Sequence, residues 1–394
     1  MILRPIRESF GAKLGSQEIN RLFFAVFLTM LMAVPIFGRL VSLVKRQLLL
    51  QLVFHFFALN IVLFGVAAYA LEMSDSRWMS RIYFVWLSVF NLFVMSLFWS
   101  VMADLFSAEQ AKRLFGPIVS GATTGAICGS AFTAWASTHL GVGVLMFISA
   151  GLLELSLVFA AGFCRTTKQW PNQQPQKKST PNVWAGVQLV VKSRYLIMIC
   201  LYLALTSACG AAVYLQMAEF VGQNISEDSE RTKYFATLNL FAQIGTLVLQ
   251  LFVVGAVMRR ISISVALMVL PVIYLSCFFL LGFWQSLLVF GIVDVLRRAF
   301  VYGMSVPARE VLFTVVDRDA KYKSKNFIDT VVFRGSDAAS STAFVTIDRL
   351  LTAPKFLNFF VIPLAVVWVV VGWFLGQKQI EMQTQKADAT ETKQ

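Results

Sequence analysis

Residues 262–282 read SISVALMVLPVIYLSCFFLLG, a run without a single acidic or basic side chain. A helix of roughly 20 such residues, rising about 1.5 Å per residue, crosses the hydrocarbon core of a bilayer. Comparable runs recur along the chain between short polar breaks, and 58% of all residues are hydrophobic. The sequence therefore predicts an all-α polytopic membrane protein and excludes a water-soluble fold.

Eleven membrane spans are predicted, with ends placed to within a few residues. Basic residues gather in every second loop, as across Arg165 to Arg194 and Arg318 to Lys325, and such loops face the cytoplasm. This sidedness places the C-terminus inside. With eleven spans the N-terminus then lies outside, where the basic segment Leu3 to Arg7 is unexpected. The count therefore favours a first helix that is largely missing here. The predicted spans are 22–43, 49–71, 82–103, 115–136, 142–163, 195–218, 234–257, 262–282, 285–305, 328–347 and 356–376.

A polar loop with several prolines, residues 164–194, divides the spans into five and six. We expect an N-terminal half-bundle at 1–163, a cytoplasmic basic linker at 164–194, a C-terminal six-helix bundle at 195–376 and a disordered cytoplasmic tail at 377–394. The halves share a short echo, because Asp104-Leu105-Phe106 before Ala111-Lys112 parallels Glu310-Val311-Leu312-Phe313 before Ala320-Lys321. Two six-helix repeats are the layout of major facilitator transporters.

Five charged residues are predicted near the middle of the membrane. Asp294, Arg297 and Arg298 lie in the span 285–305 at spacings that let the carboxylate reach either arginine. Arg334 and Asp337 lie in the next span. Three positive groups against two negative ones leave one positive charge to bind an anionic substrate or to act in gating. The alternative is an ion-pair network that only locks the two helices together.

Other polar residues inside the spans are weaker candidates. Glu154 has no charged neighbour on its own helix, so it could exchange protons, as could Asp294, or it could pack in neutral form. A single histidine such as His55 is more often a structural hydrogen-bonding residue. Cavity lining is expected of Asn91, Gln216 and Gln243, although each could instead bond across helices.

Several functional classes are disfavoured. The chain has no P-loop, no HExxH and no GxSxG, and its five cysteines show no metal-ligand spacing, so we expect no enzyme, metal or cofactor. The basic charge lies in alternate loops instead of one stripe, so we expect no nucleic acid partner. The overlapping GxxxG steps at Gly121, Gly125 and Gly129 predict close helix packing.

Three stretches carry a resemblance to a known family. They are Phe98-Trp99-Ser100, Asp104 and Ala111-Lys112-Arg113-Leu114-Phe115-Gly116 followed by Gly121 to Gly129; Lys321 to Thr330 leading into Arg334-Gly335; and Leu3-Arg4-Pro5-Ile6-Arg7-Glu8. These stretches are similar to the bacterial and plastid ATP/ADP translocase family, a branch of the major facilitator superfamily. The third stretch resembles the end of that family's first helix, in line with the span count.

The chain departs from the nucleotide-carrying members of that family at three places. Where those members have a lysine-containing LRDTKD-like stretch, this chain has Arg4-Pro5-Ile6-Arg7-Glu8. They tend to carry a glutamate in helix 4, whereas Leu87 to Trp99 contains no acidic residue here. Near the start of helix 11 they have a Gly-Lys-Ser step, and this chain has Gly335-Ser336-Asp337. The resemblance thus implies the broader bacterial branch of major facilitator transporters.

The sequence as a whole predicts a secondary active transporter of a small, anionic solute that works by alternating access. We expect a monomer in the cell inner membrane, with proton coupling as an option. A nucleotide exchanger is one alternative, and a membrane receptor or assembly partner that transports nothing is another.

Overall fold

The computed structural model describes residues 1–44, 46–71, 76–105, 108–166, 183–254, 260–316, 324–325, 327–351 and 356–391. Thirteen α-helices lie within these residues: α1 Leu3–Leu14, α2 Ser16–Leu43, α3 Arg46–Tyr69, α4 Arg77–Leu105, α5 Ala108–Thr166, α6 Val183–Lys192, α7 Arg194–Asn224, α8 Asp228–Val248, α9 Ile263–Phe283, α10 Leu287–Phe300, α11 Val306–Leu312, α12 Phe333–Leu350 and α13 Leu357–Glu391. Three π-helical segments, Leu249–Val254, Val301–Ser305 and Ile328–Val332, and a 3₁₀ turn, Phe313–Val315, join or extend them.

Eight helices of the described residues are long and apolar enough to cross a membrane. One of them, within α5, holds two predicted spans that meet at Gly141, where φ is +77° and a residue with a Cβ would be strained. The predicted spans 285–305 and 328–347 fall instead on shorter α and π segments that carry the intramembrane charges. The prediction of an all-α polytopic membrane fold is confirmed.

The chain forms two compact units. Unit 1 comprises Met1–Pro181 with Val221–Leu240, and unit 2 comprises Asn182–Phe220 with Phe241–Gln394. Residues 221–240 belong by sequence order to the later spans, yet they cluster with unit 1 because α1 packs against them. Gly222 permits this approach, since a Cβ there would overlap the carbonyl oxygen of Ala12.

The core of unit 1 is built around α1. Ile6 and Phe10 are fully buried, and the hydroxyl of the buried Tyr83 in α4 donates to the carbonyl oxygen of Leu3 at 3.2 Å. The segment that sequence analysis treated as a misplaced basic flank is therefore a packed helix. Burial of its apolar face supplies the stabilisation that a short helix lacks in isolation.

In unit 2, α9 and α13 pack along each other. Gly372 and Gly376 of α13 face α9, where a Cβ on Gly376 would overlap Ser264. Trp368 is fully buried between Tyr202 and Tyr274, at ring-centroid distances of 5.7 and 5.4 Å. The packed helices α9 and α13 belong to unit 2, which also carries the five predicted charges.

Helix α13 continues beyond the membrane-spanning length. Residues 377–391, expected to form a disordered tail, are helical in the structure. The stretch has no proline or glycine after Gly376 and is rich in Gln, Lys, Glu and Ala, which favour helix. Of the predicted linker 164–194, residues 164–166 form the end of α5, residues 183–192 form α6 and Arg194 begins α7, and residues 167–182 lie outside the described part.

Candidate functional site

Asp294 lies at the centre of a buried ion cluster on α10. Its side chain is fully buried; Arg297 Nη2 donates to Oδ1 at 2.5 Å, and Arg298 Nε lies 3.0 Å from Oδ2. Arg297 also hydrogen-bonds the hydroxyl of Tyr274 in α9. The spacings of three and four residues put all three charges on one face of the helix. We call this set the α10 triad, and it places two guanidinium groups against one carboxylate.

Arg334 and Asp337 form a second, more open pair on α12. Arg334 Nη1 lies 3.6 Å from Asp337 Oδ2, and Ser207 Oγ of α7 donates to Asp337 Oδ1 at 2.5 Å. The Arg334 side chain is 40% exposed, compared with 13% for Arg297 and 5% for Arg298. Among the five predicted charges, Arg334 is thus the one most accessible to a solute.

Both charge sets adjoin π-helical turns. Val301–Ser305 follows the α10 triad directly, and Ile328–Val332 runs into α12 just before Arg334. Gln250, in the third π segment, donates from Nε2 to the carbonyl oxygen of Tyr302 at 3.3 Å. Such turns are rare, and when they occur they are often at functional sites. Their backbone hydrogen bonds join residues five apart instead of four, which shifts the register of the helix.

Unit 1 contains a second triad that sequence analysis did not identify. Glu8 of α1 is almost fully buried; Arg7 Nη2 lies 3.0 Å from its Oε1, and Arg4 Nε lies 3.6 Å from the same oxygen. The Arg7 guanidinium also lies over the ring of Phe84, 4.8 Å from its centroid. The four-residue spacing of Arg4 and Glu8 was a usable signal, but these residues were interpreted only as a marker of topology and as part of the family resemblance. We call this set the α1 triad.

Glu154 is not alone, as it had seemed from its own helix. Its Oε1 lies 2.9 Å from Nδ1 of His55 on α3, 99 positions earlier in the chain. The expectation of an isolated carboxyl group is therefore corrected, because neighbours on one helix do not reveal a partner on another. The pair results from the packing of α3 beside the distal part of α5.

The three expected cavity-lining residues lie in different surroundings. Gln216 is buried, and its Nε2 donates to Asn358 Oδ1 at 3.1 Å, which ties α7 to α13. Gln243 is half-buried and Asn91 is exposed. In this conformation Gln216 acts as a cross-helix bond, the alternative considered for all three.

The echoed stretch beginning at Glu310 forms an ion-pair network. Lys325 Nζ lies 2.7 Å from both carboxylate oxygens of Glu310, and Arg309 Nη1 lies 3.1 Å from Asp329 Oδ1. These pairs connect α11 to the residues that precede α12. The side chains of Asp104 and Lys112, from the first copy of the echo, lie outside the described part of the structure.

No group of three or more His, Cys, Asp or Glu side chains among the described residues converges as a metal site would. The described cysteines, Cys128, Cys200, Cys209 and Cys277, are all reduced. The groups available to bind a solute are therefore the charged side chains and side-chain amides described above.

Comparison with known proteins decides the family. The sequence model of the Major Facilitator Superfamily matches residues 1–316. The chain belongs to the Major Facilitator Superfamily. Members of the superfamily are transporters, not enzymes, and the expected resemblance is confirmed.

Two similar curated proteins are ADP,ATP carriers. ADP,ATP carrier protein 1 of Chlamydia muridarum is 21% identical over 305 residues, which cover 67% of this chain and 58% of the carrier. The carrier of the same name from Chlamydia trachomatis serovar D is 20% identical over the same shares. The chain therefore spans less than two thirds of the length of these relatives.

Solved structures share the fold at low sequence identity. A bacterial homologue of the iron transporter ferroportin, in an inward-facing state, aligns over 96% of both chains with a TM-score of 0.62 and 12% identity. A nucleoside transporter aligns over 97% of this chain and 98% of its own, with the same score and identity. The Escherichia coli fucose:proton symporter aligns over 96% and 97%, with a TM-score of 0.52 and 12% identity. These similarities confirm the major facilitator fold.

Proposed function

We propose that this chain is a secondary active transporter that moves a small anionic solute across the membrane by alternating access. The observation that carries the proposal is the α10 triad, in which one fully buried carboxylate is shared by two arginines. Charge is costly inside a membrane, and a purely structural pair would be neutral. Two guanidinium groups placed on one carboxylate within a transporter fold favour a negatively charged ligand.

The proposed roles differ between the two charge sets of unit 2. Arg334 contacts the solute, because it is the most exposed of the five charges, and Asp337, fixed by Ser207, positions it. Arg297 and Arg298 supply positive potential or act in gating, while Asp294 holds them in place. The α1 triad adds a similar excess of positive charge in unit 1.

Several finer statements are part of the same proposal. Proton coupling through Asp294 or Glu154 stays a prediction. A cytoplasmic C-terminus is supported by the distribution of basic residues among the loops. A location in the cell inner membrane is supported only by the similarity to bacterial carriers.

The proposal is tested by thermal unfolding of the purified protein with a panel of anionic metabolites and with neutral and cationic controls. A ligand at about 100 times its Kd stabilises the folded state by about 2.7 kcal/mol. We expect an anion to raise the Tm of the wild type and of Arg21→Ala, whose side chain is 74% exposed, but not that of Arg334→Ala. An unchanged response in Arg334→Ala contradicts the role of that residue, and a response only to neutral or cationic solutes contradicts the substrate class.

Nucleotide exchange is the second candidate, favoured by the similarity to ADP,ATP carriers. Against it stands Gly335-Ser336-Asp337, which lacks the lysine of the family's Gly-Lys-Ser step. In the same panel, selective stabilisation by ATP and ADP, followed by exchange of labelled ADP in liposomes, would establish this candidate. Stabilisation by a smaller anion without a response to nucleotides would exclude it.

A further inference from the structure

The His55–Glu154 pair lies on an exposed side of unit 1. The His55 side chain is 61% exposed and that of Glu154 is 38% exposed, although both residues lie well inside the predicted spans 49–71 and 142–163. The pair is therefore not enclosed between helices as the two triads are. We call the exposed side of α3 and distal α5 the α3/α5 face.

The surroundings of the pair are those of a surface in contact with lipid. On α3, the exposed neighbours include Leu52, Phe56 and Leu59, and on α5 they include Leu155 and Val158. Such stripes run along the length of both helices, as is usual for helices that face hydrocarbon. His55 and Glu154 are ionisable side chains within this mostly apolar surface, which also includes the exposed Ser156.

The matching helix pair of unit 2 gives an internal comparison. Helices α9 and α13 also pack side by side and expose apolar residues such as Val272 and Val370. Residues 263–283 and 357–376 contain no acidic or basic side chain. Charge on the α3/α5 face is thus a feature of that face and not a general feature of such pairs in this fold.

The pair satisfies only part of its own hydrogen-bonding capacity. His55 Nδ1 and Glu154 Oε1 bond each other, and among the described residues neither side chain has a further partner. His55 Nε2 and Glu154 Oε2 remain to be satisfied, which is costly in hydrocarbon. A partner surface that supplies one hydrogen-bond donor and one acceptor would satisfy both atoms.

We propose that the α3/α5 face is the contact between two copies of this chain. A two-fold axis would bring His55 Nε2 of one copy to Glu154 Oε2 of the other, and the reverse, so that the two pairs close a ring of four hydrogen bonds. A surface carrying one donor and one acceptor is complementary to itself, as an isologous interface requires. Polar side chains bonded across helices are a known means of association in membranes. The dimer replaces the monomer expected from the sequence.

The first test measures self-association of the fluorescently labelled full chain in liposomes by energy transfer at several protein-to-lipid ratios. We expect the wild type to dimerise and His55→Leu or Glu154→Leu to raise the dissociation constant about tenfold, since each removes both contacts across the interface. Ser276→Leu, at an exposed position of α9, is the matched control and leaves the constant unchanged. A wild type that stays monomeric, or one whose association is indifferent to His55→Leu and Glu154→Leu, overturns the proposal; a monomer would point to a different protein as occupant.

A mixing experiment separates this contact from a general loss of structure. In a mixture of His55→Leu and Glu154→Leu chains, the heterodimer regains one histidine–glutamate contact across the interface, whereas neither homodimer has any. We expect energy transfer between the two variants to exceed that within either alone, with unchanged thermal unfolding of the monomers. Equal transfer in the mixture and the single variants overturns the proposed pairing.

Discussion

Asp294 shows what a single residue contributes in this protein. Its side chain is fully buried and lies between Arg297 and Arg298, so its carboxylate compensates the positive charge of two largely buried guanidinium groups. Removing one member of such a buried cluster leaves the others uncompensated, which costs more than the cluster itself contributes.

We therefore predict that Asp294→Asn lowers the free energy of unfolding by about 3–5 kcal/mol. Adding Arg298→Gln should recover part of the loss, because it removes one of the uncompensated charges. Thermal unfolding in detergent measures both effects. Glu381→Gln is the control, since Glu381 pairs with Lys378 at an exposed site and should change stability by at most about 1 kcal/mol. Equal stability of Asp294→Asn and wild type would show that the Asp294 carboxylate does not compensate the charges of Arg297 and Arg298.

At the scale of elements, the glycine pattern shows how helix contacts are chosen. The steps at Gly121, Gly125 and Gly129 predict a close helix contact. No described atom lies within 4 Å of a Cβ built at Gly121 or Gly125, and at Gly129 the Cβ of Met1 lies at 3.5 Å, an ordinary van der Waals distance. The contact occurs instead at Gly372 and Gly376 of α13, a GxxxG step that sequence analysis did not identify. A smooth helix face permits a close approach, but the arrangement of the neighbouring helices decides where one takes place.

Substituting these glycines should separate the two cases. Gly376→Ala puts a methyl group into the backbone of Ser264 and should destabilise the protein by about 1–3 kcal/mol. Gly125→Ala should be neutral or stabilise by up to about 1 kcal/mol through helix propensity. Thermal unfolding of the two variants in the same detergent gives the comparison. A loss in Gly125→Ala as large as that in Gly376→Ala would contradict the open face on α5.

On the scale of the whole molecule, α1 is tied to a segment from the later spans. Lys13 Nζ lies 3.2 Å from Asp228 Oδ2, Arg231 pairs with Asp228, and Ser9 Oγ donates to the carbonyl oxygen of Asp228 at 3.2 Å. Alternating access moves one half-bundle against the other. By sequence order α1 belongs to the N-terminal half and residues 221–240 to the C-terminal half, although the two cluster in unit 1 in this conformation. The proposed mechanism therefore requires α1 to separate from this segment during the cycle.

We predict that Lys13→Gln weakens this contact and populates the separated state. Ser9 is fully buried, so a cysteine there should react with a maleimide only when α1 moves away. With the five native cysteines replaced by serine, labelling of Ser9→Cys should be about fivefold faster in the Lys13→Gln background, as expected for a partly exposed ion pair. Arg21→Gln, which removes a surface pair with Glu18, is the control. An unchanged rate in Lys13→Gln, or the same rise in the control, would contradict the role of this contact.

Much of the architecture follows from local requirements that can be recognised in sequence. A bilayer demands apolar runs of fixed length with all backbone hydrogen bonds closed internally, so span positions and the helical class could be predicted without any tertiary contact. The pairing inside the α10 triad was predictable for the same reason, since Asp294, Arg297 and Arg298 lie within one helical turn of each other.

The sequence by itself therefore determined the membrane class, the apolar spans and the charges within them, but it did not predict α1 or the helical continuation of α13 beyond residue 376. Only the tertiary structure decided that Glu154 pairs with His55, that Gln216 bonds Asn358 and that α13 carries the glycines in close contact. These contacts join residues far apart in the chain and depend on how each helix is rotated about its axis. Membrane helices that are apolar on all sides leave that rotation undetermined, because lipid and protein satisfy an apolar face equally well.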